Sequence, residues 1–222
     1  MPKKPPEVRI LIADDHEIVR RGLRALLEAQ PDWEVVAEAV TGRDALVKAK
    51  QTTPDVAIVD VGMPELNGLE TTRQLLKALP QTEVLILTMH ENKQIVREVL
   101  DAGARGYVLK SDAGRDLVTA VEALCQHRTF FSSQISELLL NSYLRHPERP
   151  DSAESPRSRL TAREREIVQL LAEGKSNKEV AAALNISIKT AETHRTNIMN
   201  KLDLRSITEL VRYAVRNNMV EP

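Results

Sequence analysis

Three carboxylates, a hydroxyl and an ammonium stand at the ends of short apolar runs in the first half of the chain. Val8 to Ala13 leads into Asp14 and Asp15, and Val56 to Val59 ends on Asp60. Val84 to Leu87 ends on Thr88, and Gly106 to Leu109 ends on Lys110. Short runs of branched aliphatics read as strands buried on both faces, as in a parallel sheet. In an open α/β sheet the carboxyl ends of the strands line one crevice, so these side chains should converge there. Clustered carboxylates repel unless a cation joins them, and an all-oxygen donor set suits Mg2+. Taken singly, Asp14 or Asp15 could cap a helix, Asp60 could open a loop, Thr88 could be a strand residue and Lys110 a solvated one. Their joint placement at strand ends favours a site.

Positioning them requires strands and helices in strict alternation. An apolar stripe of Ile18, Leu23, Leu26 and Leu27 predicts a helix over 17–29. Trp33 to Ala39 reads as a strand, with Thr41 capping a helix through Lys50. After the strand ending on Asp60, Pro64 and Asn67-Gly68 force a loop. A helix with Leu69, Leu75, Leu76 and Leu79 stops before Pro80, and another runs from about Lys93 to Ala102, ended by Gly103. The stripe Leu117, Val118, Val121 and Leu124 predicts a helix over 113–127. The expected architecture is α/β, a five-stranded doubly wound parallel sheet with helices on both faces, over residues 7–127.

Residues 128–156 read as a linker. Ile135, Leu138, Leu139 and Leu140 predict a short helix, and His146 to Pro156 is polar and proline-rich. Residues 157–222 read as a small all-α domain. Thr161 and Glu164 form a capping-box pattern ahead of Ile167, Val168, Leu170 and Leu171, with Gly174 as the stop. Helices over 177–184, from Ser187 to about Leu202 and over 206–217 complete a helix-turn-helix arrangement.

The net charge of −1 hides an asymmetry. Residues 1–127 hold 16 Lys and Arg against 20 Asp and Glu, whereas residues 157–222 hold 12 against 8. An acidic half and a basic half suit separate metal and nucleic-acid tasks. Hydrophobic residues at 42% suffice for packed cores, and with aromatics at 3% those cores must rest on aliphatics. No apolar run approaches the roughly 18 residues of a membrane span, and no apolar segment follows the basic start. The single cysteine, Cys125, excludes an internal disulfide and is expected in the core. A cytoplasmic protein, away from membranes, is the expectation.

In residue type, order and spacing the strand-end constellation resembles the receiver domain of bacterial two-component response regulators, a flavodoxin-like fold. That resemblance makes Asp60 the phosphoacceptor: its carboxylate attacks phosphorus and becomes an aspartyl phosphate, with a sensor histidine kinase as donor. Mg2+ is then held by Asp15 directly, Asp14 through water, Asp60 and the backbone carbonyl of Gly62. Lys110 pairs with one phosphoryl oxygen and Thr88 hydrogen-bonds another. The resemblance further implies a switch, in which Thr88 moves toward the phosphoryl group and Tyr107 rotates inward behind it. Helix 93–102 and strand 106–109 then present a surface for pairing. Ser111 departs from the proline frequent after the lysine, which puts the usual cis peptide in doubt. Met89 replaces a common small residue and narrows access to Asp60.

The segment from Leu160 to Leu202 resembles the LuxR-type helix-turn-helix on Leu160-Thr161, Gly174 to Ala181, Leu184 to His194 and Ile198 to Leu202. Joined to the receiver it makes the chain resemble a NarL/FixJ-type response regulator over nearly all of residues 7–219. Ala191 replaces a frequent valine at a packing position. On the third helix Ile198 and Leu202 should pack inward. Lys178, Lys189, Thr190, Arg195, Asn197 and Lys201 are candidates to hold double-stranded promoter DNA, chiefly by its phosphates. Glu192, Thr193 and Thr196 are placed to meet base edges, Glu192 accepting from a cytosine amino group. His194 is open between phosphate contact and plain surface. Phosphorylation should favour a homodimer, with Leu210, Val211 and Val215 as a candidate contact. RNA polymerase is a further partner that such a regulator implies.

A Mg2+-dependent phosphohydrolase using an aspartyl phosphate is the competing class. Such enzymes need a second acid near the nucleophile, and the second residue after Asp60 is Gly62. The regulator reading, with self-dephosphorylation but no metabolic turnover, is therefore preferred. A regulator working through protein contacts alone is disfavoured by the intact pocket.

Overall fold

The chain is described from a computed structural model covering residues 8–89, 93–137 and 160–220. These residues fall into two compact units, one through residue 137 and one from residue 160. The expected helix positions Leu138 to Leu140 and the linker His146 to Pro156 lie outside the described residues.

In the first unit β1 (Val8–Ala13), β2 (Trp33–Ala39), β3 (Val56–Asp60), β4 (Glu83–Thr88) and β5 (Gly106–Leu109) form a wholly parallel sheet. The order is β2-β1-β3-β4-β5, extended at its edge by a sixth strand, β6 (Phe130–Phe131). Five strands are legible in the sequence. Two residues are too few to show a period, which is why β6 is not. The helices between the strands are α1 (Glu17–Glu28), α2 (Gly42–Thr52), α3 (Gly68–Ala78), α4 (Lys93–Asp101) and α5 (Ala113–Cys125).

Strand parity divides the core into two layers. Leu11, Ala57, Val59, Val84, Ile86 and Tyr107 pack with Ala45 and Ala49 of α2, Leu69 and Leu75 of α3, and Ile95, Val96 and Val99 of α4. Ile10, Ile12, Val56, Ile58, Leu85, Leu87 and Val108 pack with Leu23 and Leu27 of α1 and with Leu117, Val121 and Leu124 of α5. Parallel strands covered on both faces are apolar on both, as the uninterrupted runs require. Phe131 joins the first layer and Phe130 the second, so β6 continues the alternation, and Ile135 is buried beneath the first layer.

Three expectations about packing are corrected. Ile18 of α1 is 87% exposed and Leu26 is also exposed, because the α1 stripe is only as wide as Leu23 and Leu27. Cys125 is exposed at the end of α5, one position past the buried Leu124. The helix ends themselves follow local chemistry. Thr41 accepts from the Asp44 amide at the start of α2, and Asn67 does the same for Glu70 at α3. Gly103, at φ +95°, ends α4 in the left-handed region.

The second unit is α6 (Ala162–Ala172), α7 (Asn177–Leu184), α8 (Ile188–Lys201) and α9 (Ile207–Arg216). Ile167, Leu170, Val180, Leu184, Ala191, Ile198, Leu210 and Ala214 form its own core. The Thr161–Glu164 capping box forms as expected, and Ser176–Glu179 makes a second one at α7. Asn185 takes a left-handed conformation (φ +50°) to make the tight turn, and Ser187 caps α8 by accepting from Thr190. The third correction is Leu210. It is fully buried within this core, so of the three residues expected at a dimer contact only Val211 and Val215 keep any exposure.

Candidate functional site

The tips of β1, β3, β4 and β5 meet at one edge of the sheet, where the strand order reverses between β1 and β3. Asp14 and Asp60 are almost fully buried there, and Asp15 is exposed beside them. Lys110 follows β5, two strands from β3, so its four-carbon stem crosses the tip of β4. Its ammonium lies 2.7 Å from Asp60 Oδ2 and 2.8 Å from Asp14 Oδ2. The backbone builds the floor of this pocket. A Cβ on Gly68 would collide with the Asp60 carbonyl, and the Gly68 amide donates to the Val61 carbonyl at 2.9 Å. The first turn of α3 therefore rests directly on the end of β3.

Burial pushes the Asp60 carboxyl above its ordinary value, opposed by the Lys110 charge and by hydrogen bonds from Lys110 and the Gly62 amide. Burial acts to lower Lys110, but Asp60 and Asp14 outweigh it and hold the ammonium charged. Asp14, Asp15, His16 and Asp60 each offer a ligand atom within 4.8 Å of the others. Asp14 Oδ2 is buried and, although ion-paired with Lys110, accepts no well-directed hydrogen bond. Carboxylates converging in one pocket supply the oxygen donors that a hard divalent cation takes.

Two residues here escape a sequence reading. His16 follows the acidic pair directly; its amide donates to Asp14 Oδ1 at 2.8 Å and its Nδ1 lies 2.8 Å from Asp15 Oδ1. Arg20, one turn into α1, donates to the Asp14 carbonyl at 2.8 Å, and nothing in its spacing signals that.

Thr88 is fully buried at the end of β4, in step with Val84 and Ile86 and so on the α4 side of the sheet. Tyr107 is fully buried on that same side, so here its ring already occupies the inward position. The described residues contain no cis peptide, and Lys110-Ser111-Asp112 form one turn of 3-10 helix. Met89 is 70% exposed.

The second unit presents α8. Ala191 and Ile198 are buried and Leu202 is partly so, as the pattern requires. Lys189, Thr190, Glu192, Thr193, Thr196 and Asn197 are exposed, and Lys178 is exposed on the first turn of α7. The Thr193 hydroxyl donates to the Lys189 carbonyl at 2.9 Å and the Thr196 hydroxyl to the Glu192 carbonyl at 3.0 Å. With their protons engaged, both oxygens face outward as acceptors. Two candidates are tied within the unit instead. Lys201 donates to Glu164 at 2.7 Å, and half-buried Arg195 donates to Asn177 Oδ1 at 3.4 Å. His194 is half-buried.

Comparison with known proteins bears on both sites. A family model described as the response regulator receiver domain matches residues 10–122, and one described as bacterial regulatory proteins, luxR family, matches residues 158–214. The chain is 39% identical over 216 residues to the oxygen regulatory protein NreC of Staphylococcus haemolyticus, across 96% of this chain and 100% of NreC. It is 40% identical over 215 residues to the transcriptional regulatory protein LiaR of Bacillus subtilis, across 96% of this chain and 99% of LiaR. Among solved structures, the RcsB response regulator of Salmonella typhimurium aligns with a TM-score of 0.62 at 30% identity, over 95% of this chain and 98% of that one. RcsB is also solved as two dimers bound to two parallel DNAs, with a TM-score of 0.59, 30% identity and the same coverage.

Proposed function

The chain belongs to the NarL/FixJ-type response regulators, transcription regulators that join a receiver to a LuxR-type DNA-binding domain, and on that footing we propose that phosphorylation of Asp60 controls its hold on promoter DNA. The observation that carries this reading is a buried carboxylate at the tip of β3, 2.7 Å from an ammonium and beside two further carboxylates. A sensor histidine kinase is the donor. An Asp60 oxygen bonds to phosphorus as the bond to the histidine nitrogen breaks, leaving a mixed anhydride.

Asp14, Asp15, Asp60 and the Gly62 carbonyl would hold Mg2+, which supplies charge neutralisation on the phosphoryl oxygens. Lys110 exchanges its carboxylate partners for a phosphoryl oxygen, and the Thr88 hydroxyl turns toward another. Thr88 and Tyr107 share the α4 side of the sheet, so a shift of one changes the space of the other and the surface of α4 and β5. Slow hydrolysis of the aspartyl phosphate in the same pocket resets the switch.

The receiver takes in residues 7–127 together with β6 and the buried Ile135, the rest of residues 128–156 is the linker, and residues 157–222 are the DNA-binding domain. Glu192, Thr193 and Thr196 read base edges, while Lys178, Lys189, Thr190 and Asn197 hold the backbone. Arg195 and Lys201 serve that role only after leaving their partners in the unit. The phosphorylated chain acts as a homodimer on half-sites roughly 10 base pairs apart, a reading that the RcsB dimers on DNA support. It works in the cytoplasm, with RNA polymerase as the downstream partner.

Incubation with acetyl phosphate and Mg2+ tests the centre of this proposal. The wild-type chain should gain one base-labile phosphoryl group by mass, and Asp60→Asn none. An equal gain in the variant removes Asp60 from the mechanism.

A further inference from the structure

Ile188 is the first residue of α8 and the one apolar side chain among the exposed residues of that helix. It remains 48% exposed, next to the exposed cap Ser187 and the exposed Lys189. Glu192 lies one turn further along the same face, and Thr196 follows it after another turn. The buried residues Ala191 and Ile198 mark the packed side of the helix, and Ile188 stands at its border, three residues before Ala191.

Single exposed aliphatics are ordinary on protein surfaces and carry no message by themselves. The position of this one does. The N-terminal residues of a helix laid in the major groove are those that reach base edges. In that groove the apolar group that carries sequence information is the C5 methyl of thymine. A β-branched side chain is nearly fixed at χ1 in a helix, so its methyl groups hold a defined place at little entropic cost. We infer that Ile188 is a specificity-determining residue, packing its side chain against a thymine methyl at one position of each half-site. The inference rests on α8 entering the major groove.

The test uses the full chain treated with acetyl phosphate and the duplex that this protein selects from a random pool. Each thymine of that duplex is replaced in turn by deoxyuridine, which deletes the methyl and keeps every hydrogen-bonding group. Wild-type affinity should fall about fourfold per half-site at one thymine, the factor for about 0.8 kcal/mol per buried methyl-sized group. Ile188→Ser should bind the thymine and uracil duplexes alike at that position, and Ile188→Val should keep the discrimination. Ile188 is half-exposed, so neither change disturbs the core, and circular dichroism of both variants verifies it. Indifference of the wild type to every uracil overturns the inference and points to contact with deoxyribose instead. Unchanged discrimination in Ile188→Ser overturns it as well. If no sequence is selected at all, the placement of α8 in the groove falls first and Ile188 with it, an outcome distinct from the other two.

Discussion

Lys110 lies between two buried carboxylates, so its charge is needed before any phosphoryl group arrives. Removing one partner of a buried pair leaves uncompensated charge, which costs about 3 kcal/mol at the lower end of the measured range. Lys110→Ala should therefore melt several degrees lower than wild type in a chelator, and the gap should narrow on adding Mg2+. The variant should still accept phosphate slowly but lose phosphate-stimulated DNA binding. Melting that is unchanged in the chelator, or normal stimulation, contradicts the role given to this ammonium. Asp14, Asp15, Asp60, Thr88 and Lys110 are legible in the sequence because each polar residue ends an apolar run. Lys201 is not, since a basic residue on a helix near DNA and one paired to a carboxylate on another helix look alike along the chain. Leu210 and Ile18 fail for a related reason: an apolar stripe gives a face, not its width.

Between elements, the contact of most consequence joins α6 to α8. Glu164 accepts from the Thr161 amide at 2.7 Å and from Lys201 at 2.7 Å, so one carboxylate caps α6 and pins the last turn of α8. Burial works against its ionisation, but the hydrogen bonds from Lys201 and Thr161 prevail and hold its carboxyl below the usual range. A carboxyl lowered on folding contributes stability above its unfolded pKa and loses it as the pH falls through the folded value. Wild type should thus out-melt Glu164→Gln from neutrality down to about pH 4.5, and the difference should vanish at lower pH. A difference that persists in acid would assign the effect to packing rather than charge. The capping box itself is visible in the sequence as Thr161 and Glu164. Its second duty is not, because Lys201 is distant along the chain.

The whole molecule has separate cores on either side of residues 138–159, so the two units should unfold as separate cooperative steps. Trp33, the one tryptophan, lies in β2 and reports the first unit alone, whereas far-ultraviolet circular dichroism reports helices of both. Mg2+ should raise the fluorescence midpoint and leave the second unit's transition in place. A single transition, coincident by both probes and moved whole by Mg2+, would show the units to be energetically coupled. The parity of the strands bears on how the sheet finds its alignment at all. In a sheet with one wet face, a slip of one residue exposes apolar side chains and is penalised at once. Here β3 carries Val56 and Ile58 to one layer and Ala57 and Val59 to the other, so a slip exchanges one aliphatic for another. What such a slip cannot do cheaply is draw Asp60 or Lys110 inward past the rim, where their charges would lose both water and each other. The groups that perform the chemistry also act as stops that fix how far each strand slides.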